Sequence, residues 1–152
     1  MTTFKAVLLA CVLAPFGLGA CSTSQPPGQY TAKSNWTSSF ISQVVGGQAM
    51  PDGVNNWACK PAPDQNPVVL IHGTFSTTMY SYGALGPSLA NESLCVYAMD
   101  FGEAKAGDWF KGVGPVDESA QRIADFVISV KTATGRDKVT LVGHSQGGLI
   151  GF

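Results

Sequence analysis

Five residues near the end of this 152-residue chain have the types and spacing of a covalent catalytic turn: Gly143-His144-Ser145-Gln146-Gly147. Glycines two positions before and after a serine suit a tight bend from a strand into a helix, because they remove side chains that would clash there. Such a bend lifts the serine hydroxyl above the sheet, where it can attack an acyl group. The pattern therefore predicts Ser145 as a nucleophile.

A second turn, His72-Gly73-Thr74-Phe75, follows an apolar run and offers the complementary part. Acyl transfer needs two backbone N–H groups aimed at the oxyanion of the tetrahedral intermediate. One comes from the residue after the nucleophile, here Gln146, and the other from a turn after an earlier strand, here Thr74. We therefore expect Thr74 and Gln146 to form the oxyanion hole. No cofactor is implied, because serine acyl transfer needs none.

The elements that must position these two turns alternate along the chain. Continuous apolar runs predict buried strands, and apolar residues at helical spacing predict helices. Strands are predicted at residues 67–71, 94–99 and 138–142, and helices at residues 79–89 (interrupted at Gly86-Pro87), 115–134 and from Gly147 onward. This order predicts an α/β fold with a parallel sheet of about three core strands, flanking helices and right-handed crossovers. A loop punctuated by glycines is expected at residues 101–114.

The helix at residues 115–134 has the strongest signal. Pro115 suits its first turn, two acidic residues follow, and Gly135 fits the position just past its end. Its predicted apolar stripe consists of Val116, Ala120, Ile123, Val127, Val130 and Thr134.

The N-terminus has the pattern of an export signal. Residues 1–20 contain a positive charge at Lys5, an apolar run and then small residues. Leu18-Gly19-Ala20-Cys21 resembles the lipobox of bacterial lipoproteins, so Cys21 is predicted to be lipidated and to tether the protein to a membrane. Ordinary cleavage after Ser22 is the alternative. Residues 21–54 are predicted to be a polar tether and N-terminal extension, and residues 55–152 the domain. The protein is thus expected to be exported, and either membrane-anchored or secreted.

Export to an oxidising compartment affects whether the cysteines are expected to form a disulfide. Cys59 and Cys95 remain after the leader, and an even pair in an oxidising compartment predicts a disulfide. Two buried free thiols are the alternative. Neither cysteine has metal-site spacing, so no metal site is expected.

Composition excludes other classes of function. The formal net charge is −1 and only 12% of residues are charged. An electrostatic nucleic-acid binder would show clustered Lys and Arg instead. We therefore expect no nucleic-acid partner.

Taken together, the motifs resemble the bacterial secreted triacylglycerol lipases of lipase class 2, in the α/β-hydrolase superfamily. The similarity covers residues 55–59, 67–75, 89–92, 95–98, 114–115, 117–120 and 142–148. It implies hydrolysis of carboxylic esters of lipids, as by a triacylglycerol lipase or carboxylesterase, with Ser145 as nucleophile and Thr74 and Gln146 at the oxyanion hole. It also supports a Cys59–Cys95 bridge, because the two strands concerned are neighbours in that fold.

The chain departs from the family pattern after the nucleophile. In α/β-hydrolases the triad order is Ser, then Asp or Glu, then His, yet the seven residues after Ser145 include no acid and no imidazole. His144 diverges from Ser145 on the bend, and His72 is expected to pack structurally. Asp100 could face the site, but a carboxylate does not replace an imidazole. The sequence therefore predicts the N-terminal half of such an enzyme, without the C-terminal strands and inactive on its own.

Two other functions fit the same residues. One is a non-catalytic, membrane-tethered protein that binds lipids or partners through the Trp109-Phe110 loop. The other is an acyltransferase on the same fold, because the bend at Ser145 and the oxyanion hole serve both reactions.

Overall fold

The computed structural model describes residues 30–32, 37, 41 and 50–151. Its elements, in chain order, are β1 (Val68–Ile71), α1 (Thr78–Tyr82), α2 (Leu85–Asn91), β2 (Val96–Ala98), α3 (Val116–Thr134), β3 (Thr140–Gly143) and α4 (Gln146–Ile150). The predicted export signal and Cys21 lie outside the described residues.

The three strands form one parallel sheet in the order β2-β1-β3. In this register Val68 of β1 is flanked by Val96 and Thr140, and Ile71 lies beside Gly143. The carboxyl ends of β1 and β3 are therefore neighbours, which brings the turns that follow them together. The α/β fold with three parallel core strands and flanking helices is confirmed.

Both faces of β1 are buried, and this explains its unbroken apolar sequence. Val69 and Ile71 point to one face, where they pack with Tyr97, Phe101 and residues of α3. Alternate residues of a strand point to opposite faces, so Val68 and Leu70 pack on the other side, against α1, α2 and their surroundings. A strand covered by helices on both faces needs apolar side chains at every position.

The first helical region differs from its prediction. The break falls at Gly83 and Ala84, between α1 and α2, and not at Gly86-Pro87. Pro87 lies in the first turn of α2, where its missing N–H costs no intrahelical hydrogen bond. Proline thus marks the start of this helix, and the interruption predicted there is wrong.

Helix α3 follows its predicted bounds closely. Asp117 and Glu118 are in its first turn, and Gly135 ends it with a φ of 68°. Ile123, Val130 and Thr134 are buried, as the stripe predicts. Val116 is 52% exposed, so its place in the buried stripe is wrong.

A disulfide and polar contacts attach the preceding loop to this core. Cys59 is bonded to Cys95, just before β2, with 5.7 Å between the two Cα atoms. Nζ of Lys60 donates to the carbonyl of Ala133 near the end of α3 (2.6 Å), and Arg136 donates to the carbonyl of Ala62 (2.7 Å). The predicted disulfide is present. In the part of the chain that the structure describes, no helix is both long enough and apolar enough to cross a bilayer.

Candidate active site

Ser145 occupies the bend between β3 and α4 in a strained conformation. Its φ is 54° and its ψ −123°, values that a residue with a side chain rarely adopts. The residue is exposed, and α4 begins at the next residue. Strained backbone of this kind persists only where the surroundings hold it and is concentrated at functional sites.

Two glycines allow this bend. A Cβ on Gly143 would lie 2.5 Å from Cα and N of Gly148, and a Cβ on Gly147 would collide with the carbonyl oxygens of Ile71 and His72. These neighbours are backbone atoms, which cannot rotate away as a flexible side chain does. The G-x-S-x-G spacing thus corresponds to close packing of α4 on the end of β1.

Hydrogen bonds fix the base of the bend. The amide of His144 donates to the carbonyl of Ile71 (3.0 Å), and the Tyr82 hydroxyl lies 2.9 Å from the same carbonyl and 3.0 Å from that of Val142. Burial raises the pKa of Tyr82, so its hydroxyl remains a donor at neutral pH. Tyr82 therefore links α1 to the ends of both strands, a role that its sequence context did not indicate.

The turn after β1 lies directly against Ser145. A Cβ on Gly73 would be 3.0 Å from Cβ of Ser145 and 3.0 Å from the carbonyl oxygen of His144. Thr74 follows and is exposed, and Phe75 has a φ of 53°. The structure thus places Gly73, the residue before Thr74, against Ser145, and Gln146 is next to Ser145 in the chain. We call residues 73–76, which include the predicted oxyanion-hole residue Thr74, the oxyanion turn.

The loop at residues 101–114, which we call the covering loop, lies across the oxyanion turn. Ser76 and Lys111 form an antiparallel bridge, and a Cβ on Gly112 would be 3.0 Å from Cα of Thr74 and 3.1 Å from Oε1 of Gln146. That oxygen is buried without a hydrogen-bond partner among the described residues. Sequence reasoning missed this contact, although the glycine at position 112 is a signal for a close backbone approach.

Neither histidine of the chain is placed as a base for Ser145. His72 is fully buried and stacks on Phe101; its Nδ1 bonds the carbonyl of Gly73 (2.9 Å), and its Nε2 accepts from the amide of Phe101 (3.3 Å). These partners define a neutral ring with the proton on Nδ1. His144 is exposed. Among the described residues, no imidazole is hydrogen-bonded to the Ser145 hydroxyl.

Asp100 is likewise engaged away from Ser145. Its Oδ1 accepts from the amide of Thr78 at the start of α1 (2.7 Å) and lies 3.7 Å from Nε2 of His72. The carboxylate thus holds α1 against the end of β2. Its position agrees with the expectation that it lies near the strand ends, and its partners are structural.

The burial of His72 makes the stability of the protein depend on pH. Burial lowers the pKa of His72, an effect opposed by the hydrogen bond with Gly73 and by the charge of Asp100. The unfolded chain then takes up a proton as pH falls below about 6.5 while folded His72 resists it, so stability present above that pH is lost below it. We expect the urea midpoint to fall between pH 7.5 and pH 5.5.

Two variants isolate this contribution. His72→Gln removes the imidazole and should reduce the difference between the two pH values, whereas His144→Gln should retain it because that side chain is exposed in the folded protein too. Equal pH differences in wild type and His72→Gln would show that another group is responsible.

Comparison with known proteins agrees with this geometry. The family model for lipase (class 2) matches residues 65–151, more than half of the chain, from the start of β1 to the end of α4. This chain belongs to the class 2 lipases. The match includes both turns of the candidate site.

Two relatives are triacylglycerol lipases, from Pseudarthrobacter phenanthrenivorans and Burkholderia plantarii. Each is 34% identical to this chain over 94 residues, which is 58% of this chain. The aligned region is 27% of the first relative and 24% of the second. The chain therefore spans about a quarter of the length of the curated relatives that it matches.

Proposed function

We propose that this chain carries the nucleophile and oxyanion hole of a serine hydrolase acting on carboxylic esters of lipids. Ser145 is the nucleophile, and the backbone amides of Thr74 and Gln146 stabilise the tetrahedral oxyanion. The observation that carries the proposal is the strained, exposed conformation of Ser145 at the junction of β3 and α4, in contact with the oxyanion turn. Membership of the class 2 lipases supports a lipid ester as substrate.

The first chemical step needs a general base for the Ser145 proton and hydrogen-bond donors for the oxyanion. Oγ of Ser145 attacks the ester carbonyl and loses its proton to a general base, while the carbonyl oxygen becomes negative between the two amides. Neither His72 nor His144 can accept this proton in the observed structure, because the first is buried with both ring nitrogens bonded and the second bonds no part of Ser145. We propose that the base is an imidazole other than these two and that this chain alone is inactive.

The experiment is phosphonylation of Ser145 by a fluorophosphonate, followed by peptide mass spectrometry. An intact triad supplies about 10⁶-fold in kcat, so the chain alone should react extremely slowly. Free imidazole at high concentration replaces part of the missing base and should accelerate labelling at least about tenfold, which is less than the roughly 10²–10⁴ that a positioned base contributes.

Ser145→Ala serves as the matched control and should show no labelling of this peptide with or without imidazole. Labelling of another serine, or no acceleration of Ser145 by imidazole, would contradict the proposal.

We also propose that the chain is exported, with residues 1–20 as the signal, residues 21–54 as tether and extension, and Cys21 as a lipid anchor. The Cys59–Cys95 disulfide supports export, since disulfides form and persist mainly in oxidising compartments. Tyr30 and Val54 of the extension contact the domain: the amide of Tyr30 donates to Oδ1 of Asn91, and Val54 bridges to Val96. These contacts support an extension that packs on the domain at Tyr30 and Val54.

A further inference from the structure

The covering loop is closed on itself by backbone hydrogen bonds. The amide of Gly112 donates to the carbonyl of Phe101 (2.8 Å), and those of Val113 and Gly114 donate to the carbonyl of Gly102 (2.8 Å each). These hydrogen bonds join the two ends of the loop, so we expect it to move as one unit. Whatever holds residues 111–112 in place also holds the oxyanion turn beneath them.

Lys111 is the residue at which the loop meets that turn. Its amide donates to the carbonyl of Ser76 (3.1 Å), and its carbonyl accepts from the amide of Ser76 (3.4 Å). Its side chain is completely buried, and Nζ donates to Oε1 of Glu103 at 2.7 Å. Among the described residues, Glu103 is the carboxylate that forms an ion pair with this ammonium group.

A buried lysine with one carboxylate partner makes the geometry depend on that partner. Removing the partner's charge leaves an uncompensated ammonium group, which must reach water, whereas replacing the pair by apolar groups is often neutral. The Lys111 side chain is completely buried beside a carboxylate that is 30% exposed, so we expect an unpaired ammonium group to reach water by a movement of the covering loop, which carries both residues. The hydrogen bond from Lys111 also lowers the pKa of Glu103, which keeps the carboxylate charged at neutral pH.

We propose that the Lys111–Glu103 ion pair is a positioning element of the oxyanion hole: it fixes the covering loop on the oxyanion turn and thereby holds the Thr74 amide beside Ser145. This inference rests on the proposed function. Neither residue touches the reacting atoms, and both act through the backbone contacts of Ser76 and Gly112.

The pair also predicts a local pH response. Three other charged or titratable groups surround the pair. The charge of Lys111 lowers the pKa of His72, which Asp100 faces, and the charge of Arg122 in α3 lowers the pKa of Glu103. Protonation of Glu103 in acid leaves Lys111 unpaired, so the oxyanion turn should loosen before the sheet unfolds.

The test is amide hydrogen exchange measured by NMR at neutral pH, with protection at Ser76 and Lys111 compared with that at Val69 in β1. Glu103→Gln should lower protection at Ser76 and Lys111 at least about tenfold, leave Val69 within about twofold, and shift the amide signal of Thr74. The double variant Lys111→Met/Glu103→Gln has no charge to expose and should restore wild-type protection. In acid, wild type should lose protection at the turn first, and the double variant should not.

Equal loss of protection at Ser76, Lys111 and Val69 in Glu103→Gln would show that the pair only stabilises the whole fold, and would overturn the inference. Unchanged protection at Ser76 and Lys111 would also overturn it. Phosphonylation with added imidazole provides the functional measurement, which should be slower in Glu103→Gln. Failure of wild type to label at Ser145 would contradict the proposed function, while the exchange data would still decide whether the pair holds the turn.

Discussion

Gly147→Ala should destabilise the protein by about 3 kcal/mol, the upper part of the range for overpacking a filled site. The added methyl group would collide with the carbonyl oxygens of Ile71 and His72. Both carbonyls are at the end of β1, a central and buried strand, and cannot shift without disturbing its pairing with β3. The measurement is the free energy of unfolding in urea, compared with wild type.

Gly148→Ala is the matched control, one residue further along the same helix. The nearest atom to a Cβ at this position is the carbonyl oxygen of Gly143 at 3.5 Å, which is ordinary contact. Alanine is favoured over glycine in helices by about 1 kcal/mol, so this variant should be as stable as wild type or slightly more stable. Equal effects of the two substitutions would show that α4 is not packed against β1 as described.

The same pair of variants distinguishes positioning from stability at the candidate site. Gly147→Ala must displace α4, whose first residue is Gln146. The rate of Ser145 phosphonylation with added imidazole should therefore fall by a larger factor than the fraction of folded protein does. Gly148→Ala leaves the contacts of the bend unchanged and should label like wild type.

Much of the sheet is predictable from sequence because local and long-range requirements coincide there. An apolar run such as Val68–Ile71 is stable only when both faces are covered, and alternation with helices leaves a parallel sheet as the arrangement that covers them. The bend at Ser145 is predictable because glycine is required on both sides of it: Gly143 by its contact with Gly148, and Gly147 by the carbonyl groups of Ile71 and His72 at the end of β1. The position of Ser145 beside Gly73 follows from the adjacent carboxyl ends of β1 and β3.

The covering loop shows what sequence alone could not provide. Lys111 follows two exposed aromatic residues, Trp109 and Phe110, in a polar loop, and a lysine in such a context is usually solvated. Its burial depends on Glu103, whose carboxylate becomes a partner only when the loop closes at Gly112. Neither propensity nor periodicity reports that closure, because it is determined by hydrogen bonds between irregular segments.

Loss of the Cys59–Cys95 disulfide should destabilise the protein by about 2–5 kcal/mol. The bond joins residues 36 apart in sequence, so reduction returns considerable freedom to the unfolded chain. It also attaches the loop before β1, which includes Lys60 and its contact with the end of α3, to the buried start of β2. The measurement is the urea midpoint of oxidised wild type against Cys59→Ala/Cys95→Ala.

Reducing agent separates the cross-link from the packing of the two side chains. Added dithiothreitol should lower the midpoint of wild type nearly to that of the double alanine variant and leave the variant unchanged. Because Cys95 is buried, the small remaining difference measures the cavity left by its sulfur. If wild type were equally stable with and without dithiothreitol while its thiols were shown to be reduced, the loop would be held by Lys60, Arg136 and apolar packing alone, and the bond would not stabilise the fold.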